Sequence, residues 1–332
     1  MNYIGSKYSL IDFLVESIDD VTGFNSGDGR TFADLFAGTG IVGATFKERG
    51  YKVISNDIQY YSYVINKHLI ENCKEYGNSK INDLNNIKFK EGFIYKNYCS
   101  GSGSGRNYFT DDNGKKCDAI REEIDNLKTN KKISNGEYYY CLASLIDSVD
   151  KCANTASVYG AFLKHIKESA KKDLELRPLP TINGPKGKVY NEDINILIKR
   201  INGDILYLDP PYNSRQYCSN YHLLETIAKY DNPEISGLTG LRNYNEQKSS
   251  FCSKRTVCEA FDNLIKNANF KYIFLSYNNE GLMSLSEIKE IMSYYGRYLF
   301  KTKDYKRFQA DKSSNRNIKS YRTKEYLHCL VK

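Results

Sequence analysis

Short apolar runs, a glycine turn and a helical pattern follow one another in the first part of the chain. Residues 31–36 (TFADLF) predict a strand, 37–40 (AGTG) a turn, Ile41–Arg49 a helix ended by Gly50, and 52–55 a second strand. A strand, a helix and a further strand in this order form a βαβ unit, in which the two strands run parallel. This part of the chain therefore predicts an α/β fold with a parallel sheet.

The same alternation returns after a long middle section. Residues 204–209 (DILYLD) predict a strand, and 219–230 predict a helix with Ser219 as its N-cap. The remaining predicted elements are a strand, a helix and two strands, at 272–276, 286–294, 297–302 and 326–331. The sheet is thus expected to be divided by an insertion.

The middle section is predicted to be mostly helical. Apolar residues recur at helical spacing over 120–127 and 142–149. Before them, 99–116 (CSGSGSGRNYFTDDNGKK) predicts a mobile loop, because a Gly/Ser run cannot pack a core. We expect a core formed by 1–72 and 186–332, and an insertion formed by 73–185.

The 332 residues carry a formal net charge of +8 and are 40% hydrophobic, a composition that excludes a disordered chain. No apolar run reaches the roughly 18–20 residues needed to cross a bilayer, and the amino terminus lacks the layout of a signal peptide. The nine cysteines never form CxxC, and the four histidines form no metal-binding motif. We therefore expect a cytoplasmic protein with no metal and no contact with a membrane.

The segment Asp34–Gly40 (DLFAGTG) places a glycine turn between a strand and a helix, and Asp57 ends the next strand. Glycines let a ligand approach the backbone, and an acid after the second strand can accept hydrogen bonds from both hydroxyls of a ribose. One interpretation is a site for a nucleoside cofactor; the other is a tight connection without a ligand. The full GxGxxG spacing is absent, which argues against NAD.

A second motif, Asp209-Pro210-Pro211-Tyr212, directly follows a predicted strand. The prolines remove two backbone donors and restrict the chain, so the Asp209 carboxylate and the Pro210 carbonyl remain as acceptors. Two acceptors match the two hydrogens of an exocyclic amino group, and the ring of Tyr212 can stack on a planar base. The motif indicates chemistry on the amino group of a base; an exposed proline turn is the alternative.

These motifs resemble those of the S-adenosylmethionine-dependent DNA adenine methyltransferases, in particular the Dam-like class that includes type II modification methylases. The resemblance covers most of the chain. Residues 2–7 (NYIGSK) are similar to the family's amino-terminal cofactor motif, and 190–193 (YNED) to a cofactor segment in which either Glu192 or Asp193 makes the contact. The longer string 209–217 (DPPYNSRQY) resembles methylases that protect short restriction sites.

The resemblance implies a Rossmann-like class I methyltransferase core, a mostly parallel twisted sheet, with a mostly helical target-recognition insertion. It implies methyl transfer from S-adenosylmethionine to the N6 amino group of an adenine flipped out of duplex DNA, without a metal. A restriction endonuclease that acts on the same site is implied as a partner, not necessarily a bound one. The implied catalytic residues are Asp209, Pro210, Pro211 and Tyr212. The implied cofactor-binding residues are Tyr3, Gly5, Lys7, Asp34, Phe36, Gly38, Gly40, Asp57, Asp193 and Asp209.

Local charge favours DNA as the substrate. Nine basic residues against two acidic ones lie in 301–324, between the last two predicted strands, where phosphate contacts are expected. The segment beside the Gly/Ser run is expected to read base edges. A solvated surface loop is the alternative for a basic run by itself. The residues expected to contact DNA are Tyr217, Lys306, Arg307, Arg316, Arg106 and Tyr108.

Two other functions are consistent with the sequence. An RNA adenine methyltransferase would use the same chemistry, although no RNA-binding module is recognisable. A DNA-specificity subunit that only binds DNA would not need intact glycine and Asp-Pro-Pro-Tyr motifs. An assay of methyl transfer to duplex DNA separates the three functions.

Overall fold

The computed structural model describes residues 6–306 and 322–332. These residues divide into two compact units, the sheet unit and the helical unit. The sheet unit contains 6–58, 182–217, 247–306 and 322–332, and the helical unit contains 59–181 and 218–246. The helical unit differs from the insertion expected at 73–185. It begins earlier, at 59, and also contains 218–246, which follow the Asp-Pro-Pro-Tyr motif.

Nine strands lie within the described residues: β1 Thr31–Asp34, β2 Lys52–Asn56, β3 Lys188–Tyr190, β4 Asn202–Leu208, β5 Ile235–Ser236, β6 Leu241–Arg242, β7 Asn269–Asn278, β8 Arg297–Lys306 and β9 Arg322–Val331. Seven of them form one sheet in the order β3-β2-β1-β4-β7-β9-β8, and β5 pairs with β6 in a separate hairpin. The first five strands of that order are parallel, whereas β9 is antiparallel to β7 and to β8. The α/β fold with a mostly parallel sheet is confirmed.

Twelve α-helices lie in the same part of the chain: α1 Ile11–Thr22, α2 Ile41–Glu48, α3 Tyr60–Asn66, α4 Ser79–Asn85, α5 Phe93–Tyr98, α6 Asp111–Thr129, α7 Asn135–Cys152, α8 Ile194–Leu197, α9 Tyr217–Asn220, α10 His222–Lys229, α11 Val257–Asn267 and α12 Leu285–Tyr295. The helices predicted from apolar periodicity are confirmed as α2, α6, α7 and α12. The prediction of Ser219 as an N-cap is wrong. Ser219 lies inside α9, and α10 begins after Tyr221, whose side chain makes no capping hydrogen bond.

Side-chain caps set the start of the longer helices. Ser134 and Glu137 form a capping box at α7, Ser284 and Glu287 form another at α12, and Thr110 caps α6. Each cap satisfies backbone N–H groups that have no partner within the helix, a contribution of about 1 kcal/mol. The boundaries of these helices therefore follow from local sequence.

The central strands β1, β4 and β7 of the sheet unit are mostly buried, which accounts for their apolar runs. Phe32 of β1 stacks on Phe46 of α2 with 3.8 Å between ring centroids. Ile273 of β7 belongs to a buried cluster with Phe261 of α11 and Met292 of α12. This packing holds the ends of the strands, and the side chains that follow them, in fixed positions.

The loop predicted over 99–116 ends earlier than expected. Helix α6 already begins at Asp111, whose carboxylate accepts a hydrogen bond from the Gly101 N–H at 2.7 Å. The Ser102 hydroxyl donates to the Cys99 carbonyl at 2.9 Å. Small polar side chains thus satisfy the backbone of the turn and order it.

No helix within the described ranges is long and apolar enough to cross a membrane. In those ranges, no three His, Cys, Asp or Glu side chains are arranged to hold a metal ion. All nine cysteines are free thiols.

Candidate active site

Acidic residues mark the carboxyl ends of three neighbouring strands of the sheet unit. Asp34 is the last residue of β1, Asp57 directly follows β2, and Asp209 directly follows β4. Strand β1 lies between β2 and β4, and all three are parallel, so the acids share one edge of the sheet. Parallel α/β sheets bind their ligands at this edge.

The glycine turn between β1 and α2 is tied to Asp57. Gly38 has a φ of +50° and Gly40 a φ of +77°, a region that residues with a Cβ rarely adopt. The Gly38 N–H donates to the Asp57 carboxylate at 2.8 Å, and the Ala37 N–H donates to the Asn56 carbonyl at 3.0 Å. The turn and the end of β2 therefore form one hydrogen-bonded unit.

Asp34 is almost fully buried, with 1% of the residue exposed. One carboxylate oxygen accepts the Gly43 N–H of α2 at 3.2 Å, and Oδ1 has no hydrogen-bond partner among the described residues. Burial, followed by the negative charge of Asp209, raises the pKa of Asp34 to about 8. Asp34 therefore carries a proton over most of the neutral range.

The segment 190–193 is attached to β2 through Asn56, a residue that sequence reasoning missed. The Asn56 side-chain amide donates to the carbonyls of Leu35 and Glu192, and its Oδ1 accepts the Glu192 N–H at 3.1 Å. The Glu192 carboxylate pairs with Arg200, and Asp193 caps α8. Both acids thus make local contacts, and a cofactor contact from Asp193 stays a prediction.

The Asp209 carboxylate has one engaged oxygen and one open oxygen. Lys7 is buried, with 4% of the residue exposed, and its Nζ lies 2.9 Å from Oδ1 of Asp209. The Tyr212 hydroxyl donates to the same Oδ1 at 2.6 Å and also contacts the Lys7 ammonium. Oδ2 of Asp209 has no hydrogen-bond partner among the described residues.

A second carboxylate, that of Glu325 on β9, lies in the same cluster. Its Oε1 lies 3.3 Å from Nζ of Lys7 and 3.0 Å from the Tyr212 hydroxyl, and it accepts the Ser276 hydroxyl at 2.7 Å. Glu325 is 3% exposed. Sequence reasoning missed Glu325 because it is far from the Asp-Pro-Pro-Tyr motif in the chain. It directly follows the basic segment 301–324, where an acidic side chain is ordinarily expected to be solvated.

The charges of this cluster shift each other's pKa values. Burial lowers the pKa of Lys7, but the carboxylates of Asp209 and Glu325 outweigh it and raise that pKa above its ordinary value. Burial raises the pKa of Asp209; the Lys7 ammonium lowers it, and the charge of Glu325 raises it again. The Lys7 ammonium is thus shared by the carboxyl groups of Asp209 and Glu325.

The Tyr212 ring is held by its surroundings. It lies edge-on to Tyr277 with 5.1 Å between centroids, and the Lys7 ammonium is 4.9 Å from its centre. The Tyr212 carbonyl accepts the Leu282 N–H at 3.0 Å. Pro210 and Pro211 connect this ring to β4, and Phe36 of the glycine motif packs edge-on against Phe251, 5.1 Å away.

Two residues expected to contact DNA make hydrogen bonds within the protein. Tyr108 is fully buried, and its hydroxyl donates to the Tyr159 carbonyl at 2.7 Å, so the prediction that it reads base edges is wrong. The Arg106 guanidinium donates to the carbonyls of Asn97, Gly237 and Leu238. Arg106 therefore joins the Gly/Ser turn to the β5–β6 hairpin within the helical unit.

The structure describes only some of the remaining residues that were expected to contact DNA or the cofactor. Tyr217 begins α9 and is half-buried. Lys306 ends β8, where it is paired in register with Arg322 of β9. Four residues lie outside the described ranges: Tyr3, Gly5, Arg307 and Arg316.

A glycine turn beside three strand-end acids, with the Asp209 carboxylate next to the Tyr212 ring, matches the features expected of a methyltransferase that acts on amino groups of bases. The family described as D12 class N6 adenine-specific DNA methyltransferase matches residues 3–320. The chain belongs to this family.

Relatives agree with that assignment. The type II methyltransferase M.NlaIII of Neisseria lactamica is 52% identical over 335 residues, which cover 100% of this chain and 99% of the relative. M.CviAII of Paramecium bursaria Chlorella virus 1 is 39% identical and matches 95% of this chain and 94% of its own length. M.FokI of Planomicrobium okeanokoites is 45% identical over 89% of this chain, which spans about half of that relative, 47%.

The family uses S-adenosylmethionine as its methyl donor, and the residues at the sheet edge fit this cofactor. The positive φ values of Gly38 and Gly40 bring backbone close to the edge without a Cβ. The unpartnered, buried Oδ1 of Asp34 is a polar atom that a ligand group could satisfy.

Proposed function

We propose that this chain is the modification enzyme of a restriction-modification system and methylates N6 of adenine at one short duplex site. The observation that carries the proposal is the open Oδ2 of Asp209, one residue from the Pro210 carbonyl and three from the Tyr212 ring. The full-length similarity to proteins named type II methyltransferases supports the biological role.

In the proposed reaction, the adenine leaves the base stack and enters the pocket at the sheet edge. The Asp209 carboxylate and the Pro210 carbonyl each accept a hydrogen bond from the adenine amino group, which directs the nitrogen lone pair towards the methyl group. The face of Tyr212 stacks on the base. Positioning of this kind supplies much of the acceleration of a bimolecular transfer.

The cofactor would be held by the glycine turn and the strand-end acids. Asp57 would accept hydrogen bonds from the ribose hydroxyls while it holds the turn through Gly38. Asp193 would lie near the adenine of the cofactor, and Tyr3, Gly5 and Lys7 would complete the site from the amino terminus. When bound, S-adenosylmethionine supplies the electrophilic methyl group.

The helical unit would recognise the target sequence, in agreement with the expected role of 73–185. It contains the long helices α6 and α7 and the β5–β6 hairpin, whose tip residue Leu238 is 79% exposed. Phosphate contacts would come from the basic segment 301–324, which includes Lys306, Arg307 and Arg316, and Tyr217 would form another wall of the base pocket.

An endonuclease that cuts the same short site would accompany the enzyme, because modification protects the host's own DNA from such cleavage. Both would act in the cytoplasm, where that DNA lies. Protection of methylated DNA against a panel of endonucleases identifies the matching cleavage specificity; DNA that is methylated yet cut by every one of them argues against the pairing.

Sequencing of modified bases tests the proposal as a whole. Duplex DNA treated with the full chain and S-adenosylmethionine is expected to carry N6-methyladenine at one short sequence, and RNA of the same sequence is expected to remain unmodified. Asp209→Ala is the matched inactive control and should keep nearly intact cofactor affinity. Methylation of RNA alone, or turnover retained by Asp209→Ala, would overturn the proposed chemistry.

A further inference from the structure

The engaged oxygen of Asp209 is fixed by two donors that are themselves fixed by Glu325. The Lys7 ammonium lies 2.9 Å from Asp209 and 3.3 Å from Glu325, and the Tyr212 hydroxyl lies 2.6 Å and 3.0 Å from the same two oxygens. A hydroxyl donates only one hydrogen at a time, whereas an ammonium donates three. Glu325 therefore shares the Lys7 ammonium with Asp209. Lys7 also donates to the Tyr212 oxygen, and the Tyr212 hydrogen goes to Asp209, its nearer acceptor.

Glu325 is itself held in place by the sheet. Ser276 of β7 donates to Oε1 of Glu325 at 2.7 Å, and β9 pairs with β7 in a register that sets Asn278 opposite Glu325. The carboxylate is buried, so this orientation is not averaged by solvent. A hydrogen-bonded series thus runs from Ser276 through Glu325 to Lys7 and Tyr212, and from these two to Asp209.

We propose that Glu325 is a positioning residue for methyl transfer: it holds Lys7 and Tyr212 on Oδ1 of Asp209 and so keeps Oδ2 free for the amino group of the target base. The inference rests on the proposed role of Asp209 as acceptor of the adenine amino hydrogens. It adds a residue from the last strand, outside every motif in the sequence.

Charge explains why a carboxylate is needed at this position. With Asp209 alone, the Lys7 ammonium would form a simple ion pair and could bridge both carboxylate oxygens. A second carboxylate draws the ammonium to one side, because a cation between two anions is attracted to both. Asp209 then retains negative charge on the oxygen that faces the base, where it strengthens a hydrogen bond to the amino group.

Glu325→Gln preserves the shape of the side chain and removes its charge. We expect kcat to fall about tenfold, a modest share of what a positioned acceptor contributes, while the dissociation constant for S-adenosylmethionine changes less than about threefold. The acidic limb of the kcat profile should also move to lower pH. The groups that face Asp209 are Lys7, Tyr212, Glu325, Asp34 and Tyr207. The variant removes the repulsion from Glu325 and leaves Lys7 wholly on Asp209, and both changes favour the carboxylate at lower pH.

A cycle with Tyr212→Phe tests whether Glu325 acts through the Tyr212 hydroxyl. In the Tyr212→Phe background, Glu325→Gln should lower kcat by a clearly smaller factor than in the wild type. The hydroxyl of Tyr212, one of the two groups that connect Glu325 to Asp209, is already absent there. Equal losses in both backgrounds, or an unchanged kcat in Glu325→Gln, would overturn the inference. If Glu325 had only a structural role, Glu325→Gln would lower stability and cofactor affinity. It would not move the acidic limb of the kcat profile to lower pH.

Two further variants keep the test decisive. Ser276→Ala retains the charge of Glu325 and removes its orienting hydrogen bond, so a smaller loss of kcat, about threefold, is expected even if Glu325→Gln does not fold. Glu290→Gln, on the exposed face of α12, is the control for loss of one negative charge and should behave as wild type. If Asp209→Ala is inactive while Ser276→Ala and Glu325→Gln are both fully active, only this inference fails; an active Asp209→Ala refutes the proposed function as well.

Discussion

The Gly38 N–H donates to the Asp57 carboxylate at 2.8 Å, so the acid expected to bind the ribose also holds the glycine turn. Loss of Asp57 would therefore affect the cofactor site in two ways. It would remove an acceptor for the ligand, and it would release the backbone that the ligand approaches.

Asp57→Ala should weaken the binding of S-adenosylmethionine by about 1.5–3 kcal/mol, the contribution of a charge-assisted hydrogen bond. Asp57→Asn keeps an oxygen that can accept the Gly38 N–H, so it should weaken binding less. Calorimetric titration of both variants measures the difference. Unchanged affinity in Asp57→Ala would place the ribose contact elsewhere, and equal losses in the two variants would make the turn contact unimportant.

Tyr212→Ala should weaken capture of the flipped base by about 1–3 kcal/mol because the stacking face is lost. Tyr212→Phe keeps the face, and base capture should remain near the wild-type level. Its kcat should nevertheless fall a few-fold, since the hydroxyl that contacts Asp209 and Glu325 is gone. Fluorescence of a 2-aminopurine duplex reports base capture, and single-turnover rates report the transfer; equal base capture in the Ala and Phe variants would argue against stacking.

In Asp34→Asn, the free energy of unfolding should decrease less with rising pH than it does in the wild type. The pKa of Asp34, raised to about 8 by burial, lies above its ordinary value of 3.8, so the folded state loses stability relative to the unfolded state as pH rises between these values. The slope from this group is at most about 1.4 kcal/mol per pH unit. The stability of Asp34→Asn relative to wild type should therefore grow from pH 5 to pH 8.

Urea unfolding of wild type and Asp34→Asn at several pH values measures this difference. Glu290→Gln serves as the control, because it makes the same acid-to-amide change at an exposed side chain. A stability difference between Asp34→Asn and wild type that does not vary with pH would show that Asp34 is ionised in the folded protein.

Arg106→Ala should act on the structure of the helical unit rather than on phosphate binding. The guanidinium donates to three backbone carbonyls, each such bond contributing about 0.5–1.5 kcal/mol, so thermal stability should fall. The salt dependence of DNA binding should stay close to that of wild type. Lys306→Ala is the contrasting variant, and there the log-log slope should change by about 0.9 for one lost phosphate contact.

Binding measured over a range of salt concentrations separates these two residues. If Arg106→Ala were to flatten the salt dependence as Lys306→Ala does, Arg106 would contact a phosphate directly. Deletion of Gly101–Gly105, tested on near-cognate duplexes, would then show whether the turn contributes to sequence preference.

Sequence alone determined the features that depend on neighbours along the chain. The apolar runs predicted the parallel strands, helical spacing predicted α6 and α7, and the Asp-Pro-Pro-Tyr motif indicated the chemistry and the family. These signals are local because strand and helix periodicity, and a turn with two prolines, are properties of a few consecutive residues.

Only the tertiary structure decided which distant side chains share the site. Asp209 and Glu325 come together because β9 pairs antiparallel with β7, beside β4, and no pattern in the sequence records that pairing. Tyr108, next to a polar Gly/Ser run, was expected to contact DNA, but its ring is buried against Tyr98 and Phe162 and its hydroxyl donates to the Tyr159 carbonyl. Burial and charge pairing depend on contacts between segments far apart in the chain, and those contacts exist only once the chain has folded.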